Sequence, residues 1–104
     1  MHLDLPIFLT KKEPFKWLST GKKTIDVRKG NPNKGETAVY LSGRQTLKMK
    51  ILKTEIGCLE EIVRPDNFKL IIPSAGGVDE ALAYFHGFYP DCSGVFTAYY
   101  VEPF

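Results

Sequence analysis

The apolar positions change period twice within the first thirty residues. Leu3 to Leu9 is a short apolar run, and Pro6 inside it predicts a strand at an edge or a bend. Thr10-Lys11-Lys12-Glu13 carries a hydroxyl with an acid three positions on, the signature of a helix start. Pro14 fits only a first turn, so the helix begins between Thr10 and Glu13. Phe15 and Leu18, with Trp17 beside them, form its buried stripe, and Gly21 ends it in the left-handed position. The stretch GKKTIDVRKG, Gly21 to Gly30, then alternates with a period of two. Ile25 and Val27 point one way, and Thr24, Asp26 and Arg28 point the other. One face is core. The other either meets water or lines a cleft with an anion, a cation and a hydroxyl.

The same patterning organises the rest of the chain. NPNKGE, Asn31 to Glu36, is a turn-forming loop. Thr37 to Leu41 and Thr46 to Ile56 read as strands joined by the tight SGRQ connection. In the longer one Leu47, Met49 and Ile51 face one side, and Lys48 and Lys50 the other. Cys58 to Arg64 predicts a short helix, and Asn67 to Pro73 fits a helix or a buried strand. A clearer helix runs from Val78 to about Tyr89, with Val78, Ala81, Leu82, Phe85 and Tyr89 on one stripe and Pro90 as its stop. In the last segment Val95, Thr97, Tyr99 and Val101 alternate with Phe96, Ala98 and Tyr100. Both faces are apolar, which predicts a central strand. The order of elements predicts a single α+β domain spanning residues 1–104, a small, mostly antiparallel β-barrel with flanking helices.

Composition adds little until charge is placed along the chain. The 104 residues are 43% hydrophobic and 25% charged, with a net charge of +2, ordinary values for a globular chain. No apolar run is long enough to span a bilayer. The N-terminus, with Asp4 early and no basic start, does not read as a secretory signal, so a cytoplasmic location is expected. Cys58 and Cys92 stand apart, two reduced thiols rather than metal ligands, and no metal or other cofactor is expected. From Met1 to Lys53, however, twelve Lys and Arg face four acids, a balance of +8, while Thr54 to Phe104 carries −6. Either a polyanion binds the basic half, or the two halves neutralise each other in the fold.

The candidate chemistry centres on the second strand. Asp26 and Arg28 can pair; on an open surface that pair would mean little, but in a cleft Arg28 offers a planar fork to a phosphate or base edge. Lys22 and Lys23 add charge at the same mouth, and Arg44, Lys48 and Lys50 extend the basic side. His86, at the margin of the late helix's stripe, reads as a partly buried, hydrogen-bonded histidine or as a base without a triad. The aromatics from Tyr84 to Tyr100 could stack bases or fill the core.

FKWLSTGKKTIDVR, Phe15 to Arg28, resembles the signature of the ASCH domain, a branch of the PUA-like superfamily, whose GxKxxExR element falls on Gly21, Lys23, Asp26 and Arg28. Asp26 is one methylene shorter than the usual glutamate. The likeness continues through KGETAVYL, Lys34 to Leu41, and VDEALAYFHGFYP, Val78 to Pro90, to the last strand. It implies a PUA-like barrel with a cleft beside the GKKTIDVR strand that binds RNA or a nucleotide-like ligand, without membrane or metal. Lys22, Lys23, Asp26, Arg28, Arg44, Lys48 and Lys50 are then the expected binding residues. A similar bacterial relative hydrolyses the acetyl amide of N4-acetylcytidine with a lysine, a threonine and a glutamate. Lys23 matches that lysine, but Asp26 stands at the threonine position, and Ser74 rather than a glutamate precedes Val78. Under that alternative Lys23 and Asp26 are catalytic, Asp26 as a base on water and Lys23 holding the oxyanion. A carboxylate flanked by two cations is a weak base, which favours recognition at least as much as hydrolysis.

Overall fold

Nine elements make up the computed structural model, which describes residues 6–104; Leu3 to Leu5 of the expected first strand lie outside the described residues. In chain order they are β1 (Ile7–Leu9), α1 (Lys12–Ser19), β2 (Ile25–Lys29), β3 (Thr37–Ser42), β4 (Gln45–Gly57), α2 (Leu59–Ile62), α3 (Phe68–Ile71), α4 (Val78–Phe88) and β5 (Phe96–Pro103). The ambiguous stretch after Asn67 is helical. Buried Asn67 holds it, accepting from the Arg64 amide at 2.7 Å and donating to the Ile62 carbonyl at 2.9 Å.

The strands form one sheet in the order β1-β3-β4-β5-β2. Only β1 and β3 run parallel; the other neighbours are antiparallel. The result is an α+β fold whose mixed sheet curls into a half-barrel. β5 lies between β4 and β2, the central position its two apolar faces predict. A bulge between Ile51 and Lys53 of β4 breaks the register with β5 and bends that long strand.

Strand alternation divides the interior into two cores. On the concave face, Phe8, Ala38, Tyr40, Met49, Tyr99 and Val101 pack against Phe15 and Leu18 of α1. On the opposite face, Ile25, Val27, Phe96 and Ala98 pack against the last three helices through residues including Leu59, Ile62, Ile71, Ala81 and Phe85. β2 is therefore covered on both sides, and its polar face, opposite Tyr99 and Thr97, looks into the half-barrel. The helix start differs in one respect from the sequence pattern. The Lys11 position caps α1 with no side-chain hydrogen bond, while the Thr10 hydroxyl donates to the Phe8 carbonyl at 2.9 Å. The Thr10 amide prolongs the sheet by donating to Leu41 at 2.8 Å, which turns its side chain away from the helix.

Candidate functional site

The turn between α1 and β2 determines where Lys23 goes. Gly21 has φ +80°, the left-handed conformation that closes a helix at least cost in glycine. The Lys23 amide then donates to the Trp17 carbonyl at 3.0 Å, and the Thr24 amide to the Leu70 carbonyl at 3.1 Å. Pinned at both ends, the Lys23 side chain runs inward and is 4% exposed. Its Nζ donates to the Ile71 carbonyl at 2.5 Å and lies 3.9 Å from Asp26 Oδ1. Burial lowers its pKa to about 8, against the raising effect of Asp26 and with a smaller lowering from Arg28.

Asp26 is 3% exposed, and its second oxygen accepts from Arg28 Nε at 2.8 Å. Arg28 continues outward. Nη1 donates to the Leu9 carbonyl at 2.9 Å and Nη2 to the Thr10 hydroxyl at 3.3 Å. The guanidinium also lies 4.7 Å from the centre of the Phe8 ring. β1 and β2 are the two ends of the sheet, so Arg28 ties together edges that the backbone leaves unpaired. Burial opposes its charge, but the Coulombic and hydrogen-bonding effects of Asp26 outweigh that, and the Arg28 pKa is raised. Behind it the Tyr40 hydroxyl is buried with no hydrogen bond among the described residues; burial, then the Asp26 charge, push its pKa well up.

At this seam the half-barrel leaves a cleft. It is lined by Leu9, Thr10, Lys11, Pro14 and Trp17 from β1 through α1, by Lys23, Asp26, Val27 and Arg28 from β2 and the turn before it, by Ile72 after α3, and by Tyr84, Phe85, Phe88 and Tyr89 from α4 and its C-terminal end. Its volume is about 460 Å³, part of it open solvent. Such a site offers aromatic side chains, one carboxylate and three cationic side chains. It suits a planar ligand bearing negative charge.

The sequence-expected residues divide sharply. Lys23, Asp26 and Arg28 meet in the cleft. Lys22 is exposed next to Gly21 and does not line it. Arg44, Lys48 and Lys50 do not belong to it either. Lys48 pairs with Val39 and Lys50 with Thr37, while Ala38, Tyr40 and Met49 fill the concave side, so both lysines lie on the opposite face; Arg44 is exposed in the β3–β4 turn. His86 is exposed instead of partly buried, because Ala81 and Phe85 carry the buried side of α4. Ser74 is also exposed, outside the cleft, and Thr24 does not line it. Lys11 and Trp17 were not among the expected site residues, and Tyr84 and Phe88 were named only as aromatics that could stack bases or fill the core. They reach the cleft from separate elements, and the pattern in the sequence marks them only as helix-face positions.

No known family profile and no curated protein matches the chain. A solved structure, described as the crystal structure of hypothetical protein PH0355, superposes with a TM-score of 0.79 over 96% of this chain and 99% of that one, at 16% identity. At that identity the likeness is one of fold.

Proposed function

We propose that the seam cleft binds a nucleotide-like ligand, free or presented as an unstacked base of single-stranded RNA. The observation that carries this reading is the meeting of Lys23, Asp26 and Arg28 with the aromatic wall of Trp17, Tyr84 and Phe88 in one concavity. Stacking on such rings contributes about 1–3 kcal/mol per base. Arg28 uses three N–H groups on Asp26, Leu9 and Thr10, which leaves two of a guanidinium's five for a phosphate or base edge. Asp26 can accept from an exocyclic amino group, and Lys23 can donate to a carbonyl or phosphate oxygen. The resemblance to ASCH domains, carried by Gly21, Lys23, Asp26 and Arg28, supports the same reading.

Trp17 is the only tryptophan, so its fluorescence reports on the cleft directly. Titration with cytidine 5′-monophosphate or a short oligouridylate at low salt is expected to give a saturable change. For the oligomer, log affinity should fall against log salt with a slope near −0.7 per phosphate neutralised. An unchanged signal at low salt, or binding indifferent to salt, rejects the proposal.

The placing of Lys23 Nζ 3.9 Å from Asp26 Oδ1 in the same cleft favours a second reading, hydrolysis of an acylated cytidine with Lys23 and Asp26 as the reacting pair. Incubation with N4-acetylcytidine would then release cytidine, and Lys23→Ala would stop the release.

A further inference from the structure

Lys23 holds a nitrogen whose chemistry goes beyond recognition. Its side chain is held at the backbone by Trp17 and at Nζ by the Ile71 carbonyl, so the amine has a fixed place on the cleft wall. Asp26 makes no hydrogen bond to it: Oδ2 is taken by Arg28 at 2.8 Å, and Oδ1 stands 3.9 Å from Nζ, beyond hydrogen-bond reach. A neutral amine donating one hydrogen to Ile71 keeps its lone pair unengaged. From this geometry we propose that Lys23 forms a reversible imine with a flat carbonyl compound that carries an anionic group. The rings of Trp17, Tyr84 and Phe88 take the flat body, and Lys11 and Arg28 take the anion.

The step needs no oxidant or reductant. The Nζ lone pair attacks the carbonyl carbon, and the π pair moves to the oxygen. One amine proton passes to that oxygen, giving a carbinolamine. A proton taken up from solvent lets the oxygen leave as water while the nitrogen lone pair forms the C=N bond, with the remaining N–H kept on the imine. The protonated imine keeps a positive charge beside Asp26, as the ammonium did. Ammonium, which cannot attack, gives way to free amine as pH rises through about 8. The groups that act on this nitrogen are the Ile71 carbonyl from α3 and the charges of Asp26 and Arg28 from β2, and the cleft lining adds the titratable groups of Lys11 before α1, Tyr84 of α4 and Tyr89 at its C-terminal end. This inference does not require RNA binding, since a small carbonyl probe enters the cleft whether or not a nucleotide does.

The test uses 4-carboxybenzaldehyde with cyanoborohydride, which traps the imine as a secondary amine, followed by peptide mapping of the wild-type protein. Among the eleven lysines, Lys23 is expected to take most of the label. The labelling rate should be half-maximal near pH 8, whereas an exposed lysine keeps rising toward its ordinary value of about 10.4. Asp26→Asn removes the negative charge that favours the ammonium form, and should move the midpoint to lower pH. Benzaldehyde, which lacks the carboxylate, should label Lys23 more slowly. Label spread over Lys22, Lys48, Lys50 and the other exposed lysines with Lys23 unmodified would overturn the proposal. So would a Lys23 midpoint no lower than theirs.

Discussion

Asp26 is a buried carboxylate whose environment is made by two cations of unequal commitment. Arg28 holds one oxygen closely and reaches across the seam, and Lys23 stands farther off. Removing one partner from such a pair leaves the other charge buried. Arg28→Met is therefore expected to destabilise the fold by about 3–5 kcal/mol in urea denaturation. Arg28→Lys should recover only part of that loss, because an ammonium cannot reach Asp26, Leu9 and Thr10 together. Lys23 makes a separate prediction. Its pKa is about 8 when folded and 10.5 as the ordinary value, so between these the unfolded chain binds more protons and stability rises with pH. The penalty for burying the charge is complete below the folded value and vanishes above the unfolded one. Between pH 7 and 9.5, before tyrosines ionise, the wild-type protein should gain about 2 kcal/mol relative to Lys23→Met. Parallel denaturant midpoints for the two proteins across that range would contradict the assigned burial.

Between helix and strand, one turn sets the aim of the site. Gly21 at φ +80° closes α1, and two residues later Lys23 is drawn inward by Trp17. A Cβ at Gly21 meets nothing within 4 Å, so Gly21→Ala introduces backbone strain without a clash. A loss of about 1 kcal/mol is expected. If the turn also aims Lys23, that variant should shift the pH midpoint of Lys23 toward the ordinary lysine value, measured by the labelling rate. β2 shows why element type was readable and exposure was not. The period of two correctly separated Ile25 and Val27 from Asp26 and Arg28. Periodicity cannot reveal that both sides of the ribbon would be covered, one by the last three helices and the other by the concave core. The same limit explains Thr10, whose hydroxyl suited a helix cap but whose amide was taken by β3 through Leu41.

Over the whole molecule, the face of the sheet on which a basic residue stands decides which of the many basic residues share a site. Lys11, Lys23 and Arg28 face one cleft, whereas Lys48 and Lys50 stand on the other side of the sheet. Lys11→Glu should weaken cytidine monophosphate binding about fivefold, the worth of one surface charge contact reversed. The pair Lys48→Glu and Lys50→Glu should change it less than about twofold, since screening over a Debye length of about 8 Å in physiological salt removes most of their field. Fluorescence titration of Trp17 compares both variants. Equal losses would show that the basic half acts as one diffuse surface.

Local patterning alone determined the α+β class, the long helix over Val78–Phe88, the central place of β5 and the shared face of Asp26 and Arg28. Those features depend on neighbours a few residues apart, whose spacing sets which side of a helix or strand they occupy. The cleft depends on something else. It arises because the curled sheet leaves β1 and β2 unpaired and α1 and α4 stand on either side of that gap. Lys11, Trp17 and Tyr84 therefore join Lys23 only in three dimensions, since long-range packing has no period to read, whereas Lys48 and Lys50 are turned to the other face of the sheet by the alternation of β4.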